Sequence, residues 1–252
     1  MIRIDLSGKL ALVTGATGEL GRVMVRTLAR AGADVAVQYH RNRAKAESLV
    51  AEVEKTGRRA VAVGADVTKK NSVAAMRKRV ADVLGEPDIV VTNAVIQYQW
   101  REVLKQAAAD YEGQFRSCVL QSVLVAQTFV AAMIRKKWGR IIGINTECSM
   151  QCWRTQSAYV SGKRGMDGVL RVLAREVGEH GITVNQVAPG WTISENRPES
   201  DETACYRQQV PLKRRGVDQE IANVVAFLAS DLASYITGAY VPVCGGNVMP
   251  GI

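Results

Sequence analysis

A chain of 252 residues with 47% hydrophobic and 23% charged content is long enough to bury its own core and fits one large α/β domain. None of its uninterrupted apolar runs approaches the roughly 18 residues of a membrane span, so the composition is that of a soluble globular protein. The net charge of +9 is spread over 41–45, 77–79, 135–137 and 213–215 with acidic residues between, a pattern of solvated helix faces that leaves room for an anionic cofactor or acyl-carrier substrate and disfavours nucleic acid.

The N-terminus passes straight into a strand-like segment and lacks the apolar stretch of a secretory signal. Five cysteines (Cys118, Cys148, Cys152, Cys205 and Cys244) form no Cys-x-x-Cys pair and two histidines offer little for zinc. Free thiols in a reducing cytoplasm, without disulfides or metal, are therefore expected.

In chain order, a strand-length apolar run at 10–14 leads through a glycine loop into a helical segment at 21–31. Strands at 35–39 and 60–63 alternate with helices at 44–56 and 72–84. A strand at 89–92, a long helix at 115–137, a strand at 140–145 and a helix at 157–180 follow, with strands at 183–187 and 239–243. Such alternation predicts a parallel sheet covered by helices on both faces, in a single domain spanning 1–252. The stretch 192–210, rich in Ser, Glu, Pro and Asp, is too long and polar for a tight connection and predicts a lid over the site.

The loop TGATGELG at 14–21 stands between the first strand and first helix, the context of a dinucleotide fingerprint. Gly15 makes the turn, Gly18 keeps the pyrophosphate approach open, and Gly21 lets the helix pack on the strand. Thr17 and Leu20 complete the candidate cradle. Further along, Tyr159 and Lys163 in AYVSGK are four residues apart and share one helix face. A nearby ammonium stabilises a phenolate, so the pair predicts a tyrosine with a lowered pKa acting as general acid/base.

With these motifs, the chain resembles the short-chain dehydrogenase/reductase family over essentially its whole length. The resemblance implies an α/β Rossmann-type doubly wound sheet of about seven strands in the order 3-2-1-4-5-6-7. The family's short branch usually has T-G-x-x-x-G-x-G, which puts glycine where Glu19 stands; Thr14, Gly15, Gly18 and Gly21 follow the extended branch's T-G-x-x-G-x-x-G. Glu19 shares the helix N-terminus with the expected pyrophosphate, so it weakens cofactor binding unless it turns to solvent or an arginine. After the second strand, Gln38, Tyr39 and His40 replace the acid of NAD-preferring relatives, and Arg41 and Arg43 follow. NADP(H) is thus favoured over NAD(H), the alternative being that these arginines simply open a helix.

By resemblance, Asp66 and Val67 contact adenine, while Asn93 and Ala94 match part of the N-N-A-G segment that Val95 departs from. Thr146, thirteen residues before Tyr159, takes the place of the catalytic serine, and Cys118 that of the asparagine of the proton relay. Pro189 and Gly190 match the segment closing around nicotinamide, with Thr192 and Ser194 beyond it at the cofactor amide. Gln97, Tyr98, Trp100, Cys148, Met150, Gln151, Trp153 and Trp191 are expected to face the substrate, and their tryptophans suit an apolar, even cyclic, substrate with one reducible carbonyl.

The resulting expectation is an NADPH-dependent reductase of a ketone or β-ketoacyl group, free or linked to acyl-carrier protein or coenzyme A, assembled as a homodimer or homotetramer. The alternatives are a cofactor-binding or regulatory protein of the same fold, suggested by Glu19, Val95 and Cys118, and a non-redox epimerase, lyase or cyclase using the same Tyr/Lys pair.

Overall fold

A computed structural model describes residues 3–196 and 204–249. Its core layer consists of β1 (Leu10–Val13), β2 (Asp34–Tyr39), β3 (Ala60–Gly64), β4 (Ile89–Thr92), β5 (Gly139–Ile144), β6 (Ile182–Pro189) and β9 (Tyr240–Val243). These form a parallel sheet of order β3-β2-β1-β4-β5-β6-β9, which is the expected topology with residues 240–243 as its seventh strand. The two shorter strands β7 (Thr192–Ile193) and β8 (Gly216–Val217) pair beside the sheet, outside the seven.

The strands are nearly continuous apolar runs because both faces are covered. Along β1 the period of two is visible: Ala11 and Val13 enter one core cluster, Leu10 and Leu12 the other. On the first face pack α1 (Glu19–Arg30), α2 (Arg43–Glu54) and α9 (Asp218–Ala229). On the second pack α3 (Lys70–Val83), α5 (Gln121–Lys136) and α7 (Ser157–Val177).

The helix expected at 115–137 begins earlier. A short α4 (Ala108–Gln114) runs through a single π-helical turn, Phe115–Leu120, into α5. A π turn lodges one extra residue in the helix and is frequent at functional sites. The continuous run Ala108–Lys136 is long and apolar enough to cross a membrane by length and composition, yet more than half of its most apolar window is buried here, around Phe129. It is the core helix of this domain.

The chain leaves β1 towards β2 on one side, while β4 lies on the other, which opens a crevice at the strands' C-terminal ends. Buried polar groups brace this point. The Thr14 hydroxyl accepts from the backbone of Asn93 (2.9 Å) and Ala94 (3.1 Å) and donates to Gln121 Oε1 (2.7 Å). Gln121, itself buried, donates from Nε2 to the carbonyls of Ala94 (2.9 Å) and Ser117. Of the expected lid at 192–210, β7 and α8 (Ala204–Gln209) are seen, and 197–203 lie outside the described residues. Replacing Gln121→Leu takes this donor from the Ala94 and Ser117 carbonyls and leaves the Thr14 hydroxyl only the longer contact to the Val91 carbonyl, 3.4 Å. The expected loss is about 1–3 kcal/mol of stability in urea unfolding, together with weaker nucleotide binding measured by titration.

Candidate active site

A cleft of about 1260 Å³ follows the C-terminal ends of β1, β4, β5 and β6. At one end lies the glycine loop, with Gly15, Thr17, Gly18, Glu19, Leu20 and Gly21 in its lining. Gly15 has φ +60°, and a Cβ there would stand 2.9 Å from Ala94 Cα; one on Gly21 would stand 2.3 Å from the Gly15 carbonyl oxygen. The turn and the helix–strand packing therefore require glycine at both. Gly18 caps α1 without a side-chain hydrogen bond, which leaves the first-turn amides to a ligand.

Gln38 is buried and spent on this loop. Its Oε1 accepts from Gly15 N (2.7 Å) and its Nε2 donates to the carbonyls of Tyr39 (2.7 Å) and Ala65 (2.8 Å). Asn93 Nδ2 donates to the carbonyls of Thr14 (2.9 Å) and Gly15 (3.1 Å). Beyond Gln38 the cleft is lined by His40, Arg41 and Asn42, then by Asp66 and Val67. Asp66 accepts from the backbone and hydroxyl of Thr68. Tyr39 departs from expectation, because alternation along β2 turns its ring away from the cleft. It lies over Gly64, in a separate pocket of about 410 Å³ that it shares with Arg43. Arg43 pairs with Glu47 at 2.6 Å, while exposed Arg41 makes no ion pair among the described residues.

Glu19 turns sideways. It binds Arg22 Nη2 (2.5 Å) and accepts from Ser194 Oγ (2.7 Å) and Asn196 Nδ2 (2.8 Å). Burial works to raise its carboxyl, but the hydrogen bonds from Asn196 and Ser194 and the charge of Arg22 outweigh this and hold it below the ordinary glutamate value. Glu195 extends the cluster to Arg22 (3.4 Å) and Arg26 (3.0 Å).

At the other end, α7 carries Tyr159 and Lys163, and the end of β5 carries Thr146; all three line the cleft. Lys163 is buried, and its Nζ donates to the Ile144 carbonyl at 2.5 Å, 5.7 Å from the centre of the Tyr159 ring. Burial pushes its ammonium below the usual lysine value. Burial likewise pushes the Tyr159 phenol above the ordinary value, aided by the thiols of Cys148 and Cys118 and opposed by the Thr146 hydroxyl. The lowered tyrosine pKa expected from the i,i+4 spacing is thus absent here: the ammonium is held by a carbonyl, and desolvation dominates.

Cys118 also departs from expectation. It sits in the π turn, 1% exposed among core residues, with its Sγ 3.9 Å from Gln114 Oε1. Ser117, its neighbour in the turn, lines the cleft, while the Cys118 thiol acts on Tyr159 and Lys163 only through its charge. Ala94, Pro189, Gly190, Thr192 and Ser194 line the cleft as expected, and so do Gln97, Tyr98, Trp100, Cys148 and Trp191. Met150, Gln151 and Trp153 stand outside that lining. The short α6 (Cys148–Gln151) ends at Cys152, φ 53°, which carries the chain to the surface, and Trp153 meets Trp191 only edge-on at 6.5 Å.

Asn145 and Arg215 also escaped the sequence reading. Asn145 ties Lys163, Gln186, Thr146 and Ser149 together through its amide. Arg215, in a basic run assigned to a solvated face, is 9% exposed, lines the cleft and donates to the Thr192 carbonyl at 2.5 Å.

A glycine-cradled helix N-terminus at one end of a crevice and a Tyr-Lys-Thr group at the other define a dinucleotide-dependent oxidoreductase. The family model described as enoyl-(acyl carrier protein) reductase matches residues 15–247. The chain is 37% identical over 253 residues to 3-oxoacyl-(acyl-carrier-protein) reductase of Staphylococcus epidermidis, covering 96% of this chain and 99% of that one. It is also 37% identical over 250 residues to the enzyme of that name from Pseudomonas aeruginosa, covering 98% and 100%. A doubly substituted Serratia marcescens short-chain dehydrogenase/reductase superposes with a TM-score of 0.88 at 29% identity, over 96% of this chain and 98% of that one. The chain belongs to the short-chain dehydrogenase/reductase family and is an NAD(P)-dependent oxidoreductase.

The residues present fit a nicotinamide dinucleotide: the amides after Gly18 would be available to its pyrophosphate, Asn93 lines the cleft beside the glycine loop, and Lys163 lines it beside Tyr159. Glu19→Gln is expected to change the nucleotide dissociation constant less than about fivefold, the scale of a partly exposed ion pair. Fluorescence titration checks this, and a larger tightening would mean that the carboxylate faces the pyrophosphate.

Proposed function

We propose that this chain reduces a ketone or β-ketoacyl group, free or linked to acyl-carrier protein or coenzyme A, with NADPH preferred over NADH. The observation that carries this reading is the pairing of the Tyr159 and Thr146 hydroxyls in one cleft, with buried Lys163 behind them. The 3-oxoacyl reductases among its relatives support the substrate class.

When bound, the dihydronicotinamide supplies a hydride to the carbonyl carbon. Thr146 donates a hydrogen bond to the carbonyl oxygen, and Tyr159 gives that oxygen its proton as charge develops. Lys163 holds the ribose side of the site and returns positive charge to the phenolate that Tyr159 becomes. Arg41, without an ion pair among the described residues, receives the 2′-phosphate, a group that an acid at this place would repel. Glu19, already partnered, does not speak for a binding-only protein. With its five cysteines free, the enzyme suits a reducing cytoplasm, and it self-associates through the helices that expose Phe115 and Val172.

Tyr159→Phe is expected to lower kcat for ketone reduction by about 10²- to 10⁴-fold, well beyond any change in NADPH affinity; undiminished turnover would remove Tyr159 from the chemistry. In the native enzyme the active form is the protonated phenol, held above its ordinary pKa. The rate of reduction should therefore stay level through neutral pH and fall only in the alkaline range.

Arg41→Asp should lower the NADPH/NADH ratio of kcat/KM by at least about tenfold. An unchanged ratio would return Arg41 to the role of an ordinary helix-start residue.

A further inference from the structure

The substrate end of the cleft is walled by aromatic rings in a specific arrangement. β4 and β6 flank β5 in the sheet, so the loops that follow them rise on either side of Thr146. Trp100 comes from the first loop and Trp191 from the second, and both line the cleft. Trp100 lies nearly parallel to the ring of Tyr159, with centroids 5.8 Å apart and planes at 28°. Trp191 is stacked from behind by Tyr206, at 5.1 Å and 9°.

Trp191 is held firmly. Its backbone N–H donates to the Tyr206 hydroxyl at 2.9 Å. Tyr206 is 4% exposed and borders the buried carboxylate of Glu147, which accepts from Asn247 Nδ2 at 3.1 Å and whose own N–H donates to the Pro189 carbonyl at 3.0 Å. A Cβ on neighbouring Gly190 would stand 2.4 Å from the Tyr206 hydroxyl, so the chain is pressed against that ring. The remaining lining from the loop after β4, Asn93, Ala94, Val95, Ile96, Gln97 and Tyr98, carries no charge.

We propose that Trp100 and Trp191 determine substrate specificity, and that they select a flat, uncharged ring ketone over a straight-chain acyl thioester. The proposal rests on the carbonyl-reductase reading above. A carbonyl seated on Thr146 and Tyr159 lies between the two loops that carry these indoles, and a planar ring gains stacking on an indole where a saturated chain gains only contact area. Trp191, held in this way, also exacts little ordering from the protein when the ligand arrives. Trp153, edge-on behind Trp191, supports the wall without entering the cleft.

The test compares 1-tetralone with acetoacetyl-CoA as NADPH-dependent substrates of the full chain, each scored as kcat/KM. The wild type is expected to favour 1-tetralone. Trp100→Leu and Trp191→Leu should each lower the ratio of tetralone to acetoacetyl-CoA roughly three- to tenfold, mainly through the tetralone KM. Trp100→Phe and Trp191→Phe keep an aromatic face and should retain most of the ratio. A wild type that favours acetoacetyl-CoA, a ratio unmoved in the Leu variants, or Phe variants that lose as much as Leu would each overturn the assignment while leaving carbonyl reduction standing. Turnover of neither compound by the wild type would overturn both.

Discussion

The Thr14 hydroxyl is the contact on which the site depends. It joins β1, the turn after β4 and helix α5 at the point where the sheet changes direction. A parallel sheet leaves its C-terminal strand ends as loops whose peptide groups lose the ladder partners they had inside the sheet. If those loops were satisfied by water, the crevice would be neither shaped nor dry. Thr14, Gln121, Asn93 and Gln38 satisfy them with side chains instead, and the phosphate-binding loop becomes a fixed surface. The first-turn amides of α1 then remain unsatisfied by design, since Gly18 has no side chain to cap them.

That arrangement explains how the loop tolerates a carboxylate. An anion at a helix N-terminus is favoured by the dipole, so Glu19 gains from the position that the pyrophosphate also wants. The conflict is resolved laterally: Arg22, three residues on, neutralises the charge, and Ser194 and Asn196 occupy its lone pairs. Ser194 gives its hydroxyl proton to Glu19 and keeps its lone pairs at the cleft. In exchange the segment after β7 is fastened to α1, and Glu195 reinforces it through Arg22 and Arg26. A residue that looks like damage to a glycine motif thus couples the start of the expected lid to the nucleotide loop.

The features legible in the sequence were those encoded locally. The spacing of Gly15, Gly18 and Gly21, the four-residue step from Tyr159 to Lys163 and the strand/helix alternation each depend on neighbours a few residues away. The order of the sheet followed from the resemblance. What escaped depends on distant partners. Gln38 reaches Gly15 across 23 residues and Thr14 reaches Gln121 across 107, so neither role shows in a local pattern. Cys118 was placed by the family resemblance; it lies in the π turn, where Ser117 rather than Cys118 lines the cleft. Tyr39 and Trp153 failed for a simpler reason: proximity in sequence to a site does not fix the side to which a ring turns. Arg215 was hidden in a run of three basic residues, only one of which is buried.

The Tyr159–Lys163 pair shows why spacing alone gives the wrong sign for a pKa. Four residues on a helix set the Cβ separation, but a long lysine side chain places its charge wherever a stronger acceptor lies. Here the Ile144 carbonyl takes it at 2.5 Å. Desolvation then acts on both groups towards neutrality, raising the phenol and lowering the ammonium. For reduction this is the useful direction, because the tyrosine must begin protonated and surrender its proton only when an alkoxide forms beside it. A ketone oxygen becomes far more basic as it accepts the hydride, so even a phenol held above its ordinary pKa gives up its proton to it. The charge of Lys163 matters afterwards, when the phenolate needs a cation nearby and desolvation that formerly opposed both charges is relieved by their attraction. The burial that disfavours each charge alone is what strengthens their interaction once both are present.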